Sequence, residues 1–318
     1  MLAYASRRLA LLTVTLLAAS MLIFLVTSVL PGNVGRIMLG PFAAQDSVDT
    51  LNRQLGLDRP VLERYAVWLA AVVQGDWGRS LHFNAPVLPL VIERLGRSLL
   101  LAAVTLAILV PSAVAAGIHA ARREGGVFDR TVSLLGLSVR ALPEFVTGVV
   151  LIVVFGIQLG WLPVQALPPE GAGPVEVLRH LLMPALCLVL VLFAYVFRMT
   201  RAGVIEALAA DWTRTARLKG LPPSVVVLRH VLRNALLPTI AVLGAQIGWL
   251  VGGLVVVETL FRYPGIGTLI QFAATAKDLP LLVGCAVAVT AVFALGNLAA
   301  DLLAASLDPR IRHGSPRG

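Results

Sequence analysis

The sequence predicts an all-α polytopic membrane protein with six transmembrane helices, both termini cytoplasmic, and an extracytoplasmic insertion after the first helix. Three observations carry that expectation. Of 318 residues, 58% are hydrophobic and only 14% are charged, and the mean hydropathy is +0.87, far from the composition of soluble domains. The apolar residues gather into six runs near the roughly 20 residues that cross a hydrocarbon layer. The gaps between runs alternate in basic content: Arg122, Arg123 and Arg130 in one and seven basic residues from Arg198 to Arg233 in another, against Arg179, Arg262 and Lys277 in the two short gaps between. The richer gaps belong inside.

The first run, Leu9 to Leu30, follows Arg7-Arg8 and continues past Ala18-Ala19-Ser20 through MLIFLV. A cleavable signal has a shorter apolar core and then a small-residue cleavage site, so an uncleaved first span is expected, closing a segment of residues 1–30. Residues 31–97 then form the extracytoplasmic insertion. Within it, Val48, Leu51 and Leu55 share one helical face, with Asp46 or Ser47 as cap and Gly56 as stop. Val61, Tyr65, Trp68, Leu69 and Val72 repeat the pattern between Pro60 and Gly75. Glu63 and Arg64 interrupt the second of these, which reads as an interfacial or core-packed helix and not as a seventh span.

Residues 98–318 hold the remaining five spans, at about 98–120, 132–157, 181–197, 236–257 and 281–303, followed by the basic tail DPRIRHGSPRG. The gap at 206–238 is the longest polar interruption in this half. Asp211 is expected to cap a short helix ending near Lys219, Gly220 to take a left-handed stop, and Leu221-Pro-Pro to start a second helix at an angle. Ala216 and Gly220, four residues apart, suggest a small-residue notch that another protein's surface could approach.

Several chemistries are excluded. The only two lysines, Lys219 and Lys277, are followed by Gly and Asp, so no G-x-x-x-x-G-K-[ST] phosphate loop exists. The five histidines are scattered, with no H-E-x-x-H and no Cys/His ligand spacing, so no metal site is expected. Gly136-Leu-Ser138-Val lacks the closing glycine of a serine-nucleophile turn. Cys187 and Cys285 fall inside apolar runs, where cysteine is a small packing residue. The net charge of +9 is a topology signal here, and no nucleic-acid partner is expected.

DWTRTARLKG followed by VLRHVLRNALLP closely resembles the cytoplasmic loop of permeases in the dipeptide, oligopeptide and nickel branch of bacterial ABC importers. The likeness to the B-type permease of that branch extends over most of the chain: a first span ending in LPG, the LGLDRP and GDWGRSL elements, ETLFRYPGIG before the sixth span, and DLLAASLDPRIR at the end, in the same order. Against the wider importer signature E-A-A, three residues, G, nine residues, I-x-L-P, this chain has Arg214-Thr215-Ala216, then Gly220, then His230-x-Leu232-Arg233. Only Ala216, Gly220 and Leu232 match it.

The resemblance implies the type I importer permease fold and a non-catalytic subunit in the bacterial cytoplasmic (inner) membrane. It implies as partners a second homologous permease, two ABC ATPase subunits, an extracytoplasmic substrate-binding protein and the surrounding lipid. No cofactor is expected in this chain; ATP and Mg would sit in the ATPases. Asp211, Arg214, Thr215, Ala216, Arg217, Lys219, Gly220, His230 and Arg233 become the candidate ATPase-docking residues. Their basic side chains could pair with acids on the ATPase or serve only as topology anchors.

Arg140 and Glu144, read as one helical turn apart in the third span around Pro143, either line the translocation path or form a buried ion pair bracing a kinked helix. Gln246 is a further path candidate. Glu258, Arg262 and Pro264 are candidates for contact with the binding protein or for an outer gate, unless they merely end a solvated loop. The branch carries peptides, with nickel, glutathione and other small solutes as alternatives. The absence of an acidic or histidine relay along the spans argues against a stand-alone proton-coupled transporter.

Overall fold

The computed structural model describes residues 2–29, 34–40, 42–54, 56, 58–252 and 254–307. The leucine, proline and glycine that close the first span, Leu55 of the first amphipathic helix, and the basic tail beyond residue 307 lie outside the described residues, as does the side chain of Leu51. Among the described residues all named elements are helices.

Four helices are long and apolar enough to cross a membrane by themselves: α1 (Leu2–Val29), α5 (Val87–Arg122), α8 (Pro174–Ala209) and α15 (Leu279–Leu307). Counting each of two bent pairs as one span brings the number to six. One joins α6 (Val127–Arg140) to α7 (Glu144–Leu151), which continues as π-helix through Gln158, with a bend of 105°. The other joins the segment 226–235 to α12 (Leu237–Gly252) with a bend of 48°. Between them lie α2 (Val34–Leu39), α3 (Gln45–Gln54), α4 (Val61–Val73), α9 (Asp211–Leu218), α10 (Pro223–Val225), α11 (Leu232–Ala235), α13 (Val255–Leu260) and α14 (Ile266–Thr275).

Several boundaries differ from the expectations. The helix of the second span begins at Val87, well before the expected span start at Ser98, and its 36 residues reach about 54 Å, well beyond a hydrocarbon layer of about 30 Å. Its first turns carry Glu93 and Arg97, which bridge each other at 2.8 Å; charge there marks helix standing clear of the membrane and not loop. α8 likewise extends beyond 181–197 at both ends. The third run is no kinked helix: Pro143 occupies the N-cap position of a new helix, and its extended backbone (φ −58°, ψ 141°) ends the preceding direction. α3 starts at Gln45, so Asp46 lies inside its first turn.

α5 and α8 form the centre, around fully buried Leu101, Leu109, Leu188 and Phe197, with Leu250, Leu254 and Phe261 packed alongside. Hydrophobic transfer cannot drive helices together within lipid, so close approach and packing must. Small residues supply it. A side chain at Gly203 of α8 would run into the carbonyl of Ala235, and one at Gly244 of α12 into Ala300 of α15. α1 lies against α15, pinned by Arg8–Asp301 at 2.9 Å. α4 packs on α1 through Tyr65 and Trp68, whose rings sit 5.6 Å from Phe24, while the Tyr65 hydroxyl reaches the Leu17 carbonyl at 3.2 Å.

Candidate functional site

The loop that follows α8 is attached to the bundle by one narrow face. In α9 only Thr213 and Ala216 are buried. Thr213 donates from Oγ1 to the Ala207 carbonyl at 2.6 Å, and Ala216 joins Val204, Ala207, Val226, Val231 and Ala235 in a compact apolar cluster. The remaining side chains of α9 point outward. Trp212 is 53% exposed and Leu218 80%, and Asp211, Arg214, Thr215, Arg217 and Lys219 are exposed around them. Among the described residues, Arg214, Arg217, Lys219 and Arg229 have no carboxylate within ion-pair distance. Leu228, 69% exposed, adds an apolar patch beside Arg229. His230 is half-buried in the π-helical turn Val226–Val231, and Arg233 is exposed on α11.

α9 ends at a left-handed glycine, as its sequence suggests. Gly220 has φ +74°; its N–H donates to Arg217 O at 2.9 Å, and the Leu221 N–H donates to Ala216 O at 3.4 Å. That is the paired bonding of a Schellman stop, completed by contact of Leu221 with the Ala216 cluster. Two expectations are corrected. Asp211 is the first helical residue and not the cap: the N-cap is Ala210, which has no side chain to offer. Ala216 and Gly220 do not form an open notch, because Ala216 is turned into the core, while a Cβ at Gly220 would meet nothing within 4 Å. Gly220 is there for its backbone angle.

The bend after α6 separates the third-span candidates. Arg140 ends α6 with its guanidinium 5.4 Å from the Tyr195 ring centre, a cation–π contact. Glu144 begins α7, and its Oε1 is buried with no hydrogen-bond partner, as is Thr147 Oγ1. The expected Arg140–Glu144 pair is therefore absent among the described residues. A chain that turns through 105° cannot stack residues one helical turn apart. Gln246 is half-buried on α12.

An ion pair between α6 and α8 was not anticipated. Arg201 of α8 grips Asp129 of α6 with both arms, Nε to Oδ1 at 2.6 Å and NH2 to Oδ2 at 2.8 Å, with Glu124 at 3.7 Å. Asp129 also accepts the Gly125 N–H at 2.9 Å. It ties the short gap between α5 and α6 to α8 two turns before the loop begins.

At the opposite end, Glu258 is completely buried. Its Oε1 accepts from Ser98 Oγ at 2.5 Å and its Oε2 from the Thr268 N–H at 3.0 Å, and Ser98 in turn accepts the Ile266 N–H at 2.8 Å. Tyr263 donates to the Arg97 carbonyl at 2.9 Å; burial pushes its phenol up to about 12, so the donor proton stays in place. Glu258 is thus a brace and has no carboxylate left to meet another protein. Arg262, with φ +53°, is exposed at the loop's tip, and Pro264 is half-buried beside it.

Residues 113–313 match the family model described as "Binding-protein-dependent transport system inner membrane component". Residues 1–102 match its companion, "Binding-prot-dependent transport system membrane comp, N-term". This chain belongs to that permease family. The permease is 34% identical over 310 residues to a probable peptide ABC transporter permease protein of Sinorhizobium fredii, covering 98% of this chain and 99% of the relative. It is 38% identical over 317 residues to a peptide permease protein of Brucella suis biovar 1, covering 98% and 99%. It is 36% identical over 313 residues to the glutathione transport system permease protein of Escherichia coli (strain K12), covering 98% and 100%.

Within the permease, the three residues that match the importer signature are the ones the loop's fold requires. Ala216 and Leu232 pack into one cluster and Gly220 makes the turn, whereas the departures Arg214, Thr215 and Arg233 are exposed and His230 is only half-buried. The signature reads here as a packing rule, leaving the outer face free to vary. Sequence reasoning missed Trp212, Leu218 and Leu228 on that face. Large apolar residues on the wet side of an otherwise charged helix were the available signal.

Proposed function

We propose that this permease moves peptides inward across the bacterial inner membrane, with energy from separate ATPase subunits that bind ATP and Mg and seat against α9. The orientation in this reading puts both termini and the 206–238 loop in the cytoplasm, and residues 31–97 and the 258–264 loop outside. A second, homologous permease completes the cavity, two ATPases attach below, and an extracytoplasmic binding protein delivers substrate from above. The chain itself carries out no hydrolysis; its contribution is conformational coupling. The relatives named for peptides support the cargo, and glutathione, itself a tripeptide, falls in the same chemical class.

One observation carries the coupling: α9 presents Trp212, Leu218 and uncompensated arginines outward while Thr213 and Ala216 lock it onto α8 and α11. A ligand must hold two states of such a loop differently to shift them, and a rigidly anchored amphipathic lever passes that difference to the spans. Leu218→Asp combined with Arg217→Glu tests it. The permease should still reach the membrane, while co-purification of the ATPase and uptake of labelled dipeptide both fall to background. Retained co-purification with normal uptake would refute the docking assignment. Loss of uptake for a nickel or sugar probe alone, with peptide uptake never present, would leave the docking and change the cargo.

A further inference from the structure

A cavity of about 650 Å³ opens between α1, α4, the 77–84 segment and the start of α15, at the end of the bundle opposite α9. Its walls are mostly apolar, with Phe24, Val67, Trp68, Trp77 and Val283 among them, and Arg59, Arg64 and Arg79 stand around it without any acidic side chain in the lining. The arginines differ in commitment. Arg59 pairs with Glu63 at 3.2 Å. Arg64 lies 5.8 Å from the Phe24 ring centre, and Arg79 donates to the Asn84 carbonyl at 2.8 Å. Neither of the last two has a carboxylate within ion-pair distance among the described residues.

Depth identifies the occupant. Thr27 and Ser28, which also line the cavity, end the apolar stretch Ser6–Ser28, and two tryptophans sit at the same level, as they do where hydrocarbon gives way to headgroups. α4 carries Leu62 and Val67, 63% and 58% exposed, so its apolar surface continues outward from the cavity toward lipid. The cavity is open on one side to that surface, and arginines facing an acid-free pocket at headgroup depth favour a phosphate.

We propose that this cavity holds an anionic phospholipid, its phosphate met by Arg64 and Arg79 and an acyl chain laid against Phe24, Trp68 and Val283. In the orientation given above the lipid belongs to the outer leaflet. It glues α4, and with it the 31–97 segment, to α1 and α15. These parts also touch directly: Tyr65 and Trp68 lie on α1, Asp278 accepts from Ser80 Oγ at 2.5 Å and the His82 N–H at 3.1 Å, and Trp77, Val87 and Val91 pack with Leu281 and Cys285 of α15. The site does not depend on what the permease transports.

Bromine-labelled lipids quench tryptophan at contact range and so report occupancy. The full chain, with the subunits that co-purify with it, is placed in phosphatidylcholine vesicles containing a minor fraction of brominated phosphatidylglycerol or of brominated phosphatidylcholine. The quenching component lost in W68F/W77F is the site signal. A preference for the glycerol lipid on the order of tenfold is expected from arginines facing an anionic headgroup. It should disappear in R64Q/R79Q and, with the arginines kept, in A71F, which fills the pocket; if the double variant fails to assemble, A71F decides. Equal quenching by the two lipids, or a preference that survives the assembled variants, would overturn the proposal. Relief of quenching by millimolar inorganic phosphate would replace the lipid with a soluble anion.

Discussion

The loops at 211–220 and 258–265 are both short, polar, glycine-ended interruptions of an apolar chain, yet they handle charge in opposite ways. The first buries a threonine and an alanine and exposes every ionisable side chain it carries. The second buries its only acid, Glu258, and distributes both carboxylate oxygens among Ser98 and backbone N–H groups from α14. A charged residue beside a membrane span therefore has no fixed meaning. Where its hydrogen bonds close within the chain it is scaffold, and where the side chain ends in water beside bare Trp212 and Leu218 it is exposed surface, the face on which the proposed ATPase contact rests.

The comparison can be broken most forcefully at Glu258. Glu258→Ala would strand Ser98 and the Thr268 N–H in a buried site, at a cost of about 3 kcal/mol, and is expected to lower the thermal unfolding temperature and the yield of folded permease. Glu258→Gln keeps one oxygen and should recover most of that loss. If Glu258→Ala instead unfolds like the parent but loses binding-protein stimulation, the acid is a contact after all. Next in size is Asp129→Ala. It leaves Arg201, 27% exposed, without its main partner; breaking a fully buried pair costs about 3–5 kcal/mol, and partial exposure brings the expected value to about 2. The swap Asp129→Arg with Arg201→Asp should restore part of the stability, measured by the same melt, because the interaction needs opposite charges more than a given order.

Much of this contrast was readable from the chain, and the remainder had physical reasons to be hidden. Six apolar runs were visible because hydropathy is a local property. The end of α9 was visible because Gly220 and the following prolines act on their own backbone. The start of α5 was missed because Glu93, Arg94 and Arg97 look the same in a loop and in a helix that outgrows the bilayer. Pro143 was read as a kink because a proline opens a new helix as readily as it bends an old one. Pairs such as Ser98 with Glu258, Ser80 with Asp278, and Asp129 with Arg201 join residues 160, 198 and 72 positions apart. No periodicity carries such information.

Smaller stability effects sharpen the reading of the 211–220 loop. Gly220→Ala forces a Cβ into φ +74° and should cost about 1 kcal/mol, read as faster proteolysis in the loop. Since that Cβ would meet no neighbour within 4 Å, Gly220→Trp should behave like Gly220→Ala in co-purification of the ATPase, both weakening it through the lost turn. A notch approached by the partner would give a different pattern, with alanine tolerated and only tryptophan excluded.

Leu218→Ser should barely change the melt, within about 0.5 kcal/mol, because a side chain already 80% exposed contributes little to the fold. Its effect belongs in the assembly. With a partner seated on α9, Leu218 loses contact with water and its truncation weakens association, while Thr213→Val, which removes the bond to Ala207 on the buried face, should lower stability and leave the outer surface chemically unchanged. The two variants therefore separate anchor from surface on one eight-residue helix: a melt that moves only for Thr213→Val, and co-purification that weakens for Leu218→Ser at unchanged stability. If Leu218→Ser leaves co-purification and transport-coupled ATP hydrolysis at parental values, the exposed face of α9 is not where the partner sits, and the contrast between the two loops reduces to one of burial alone.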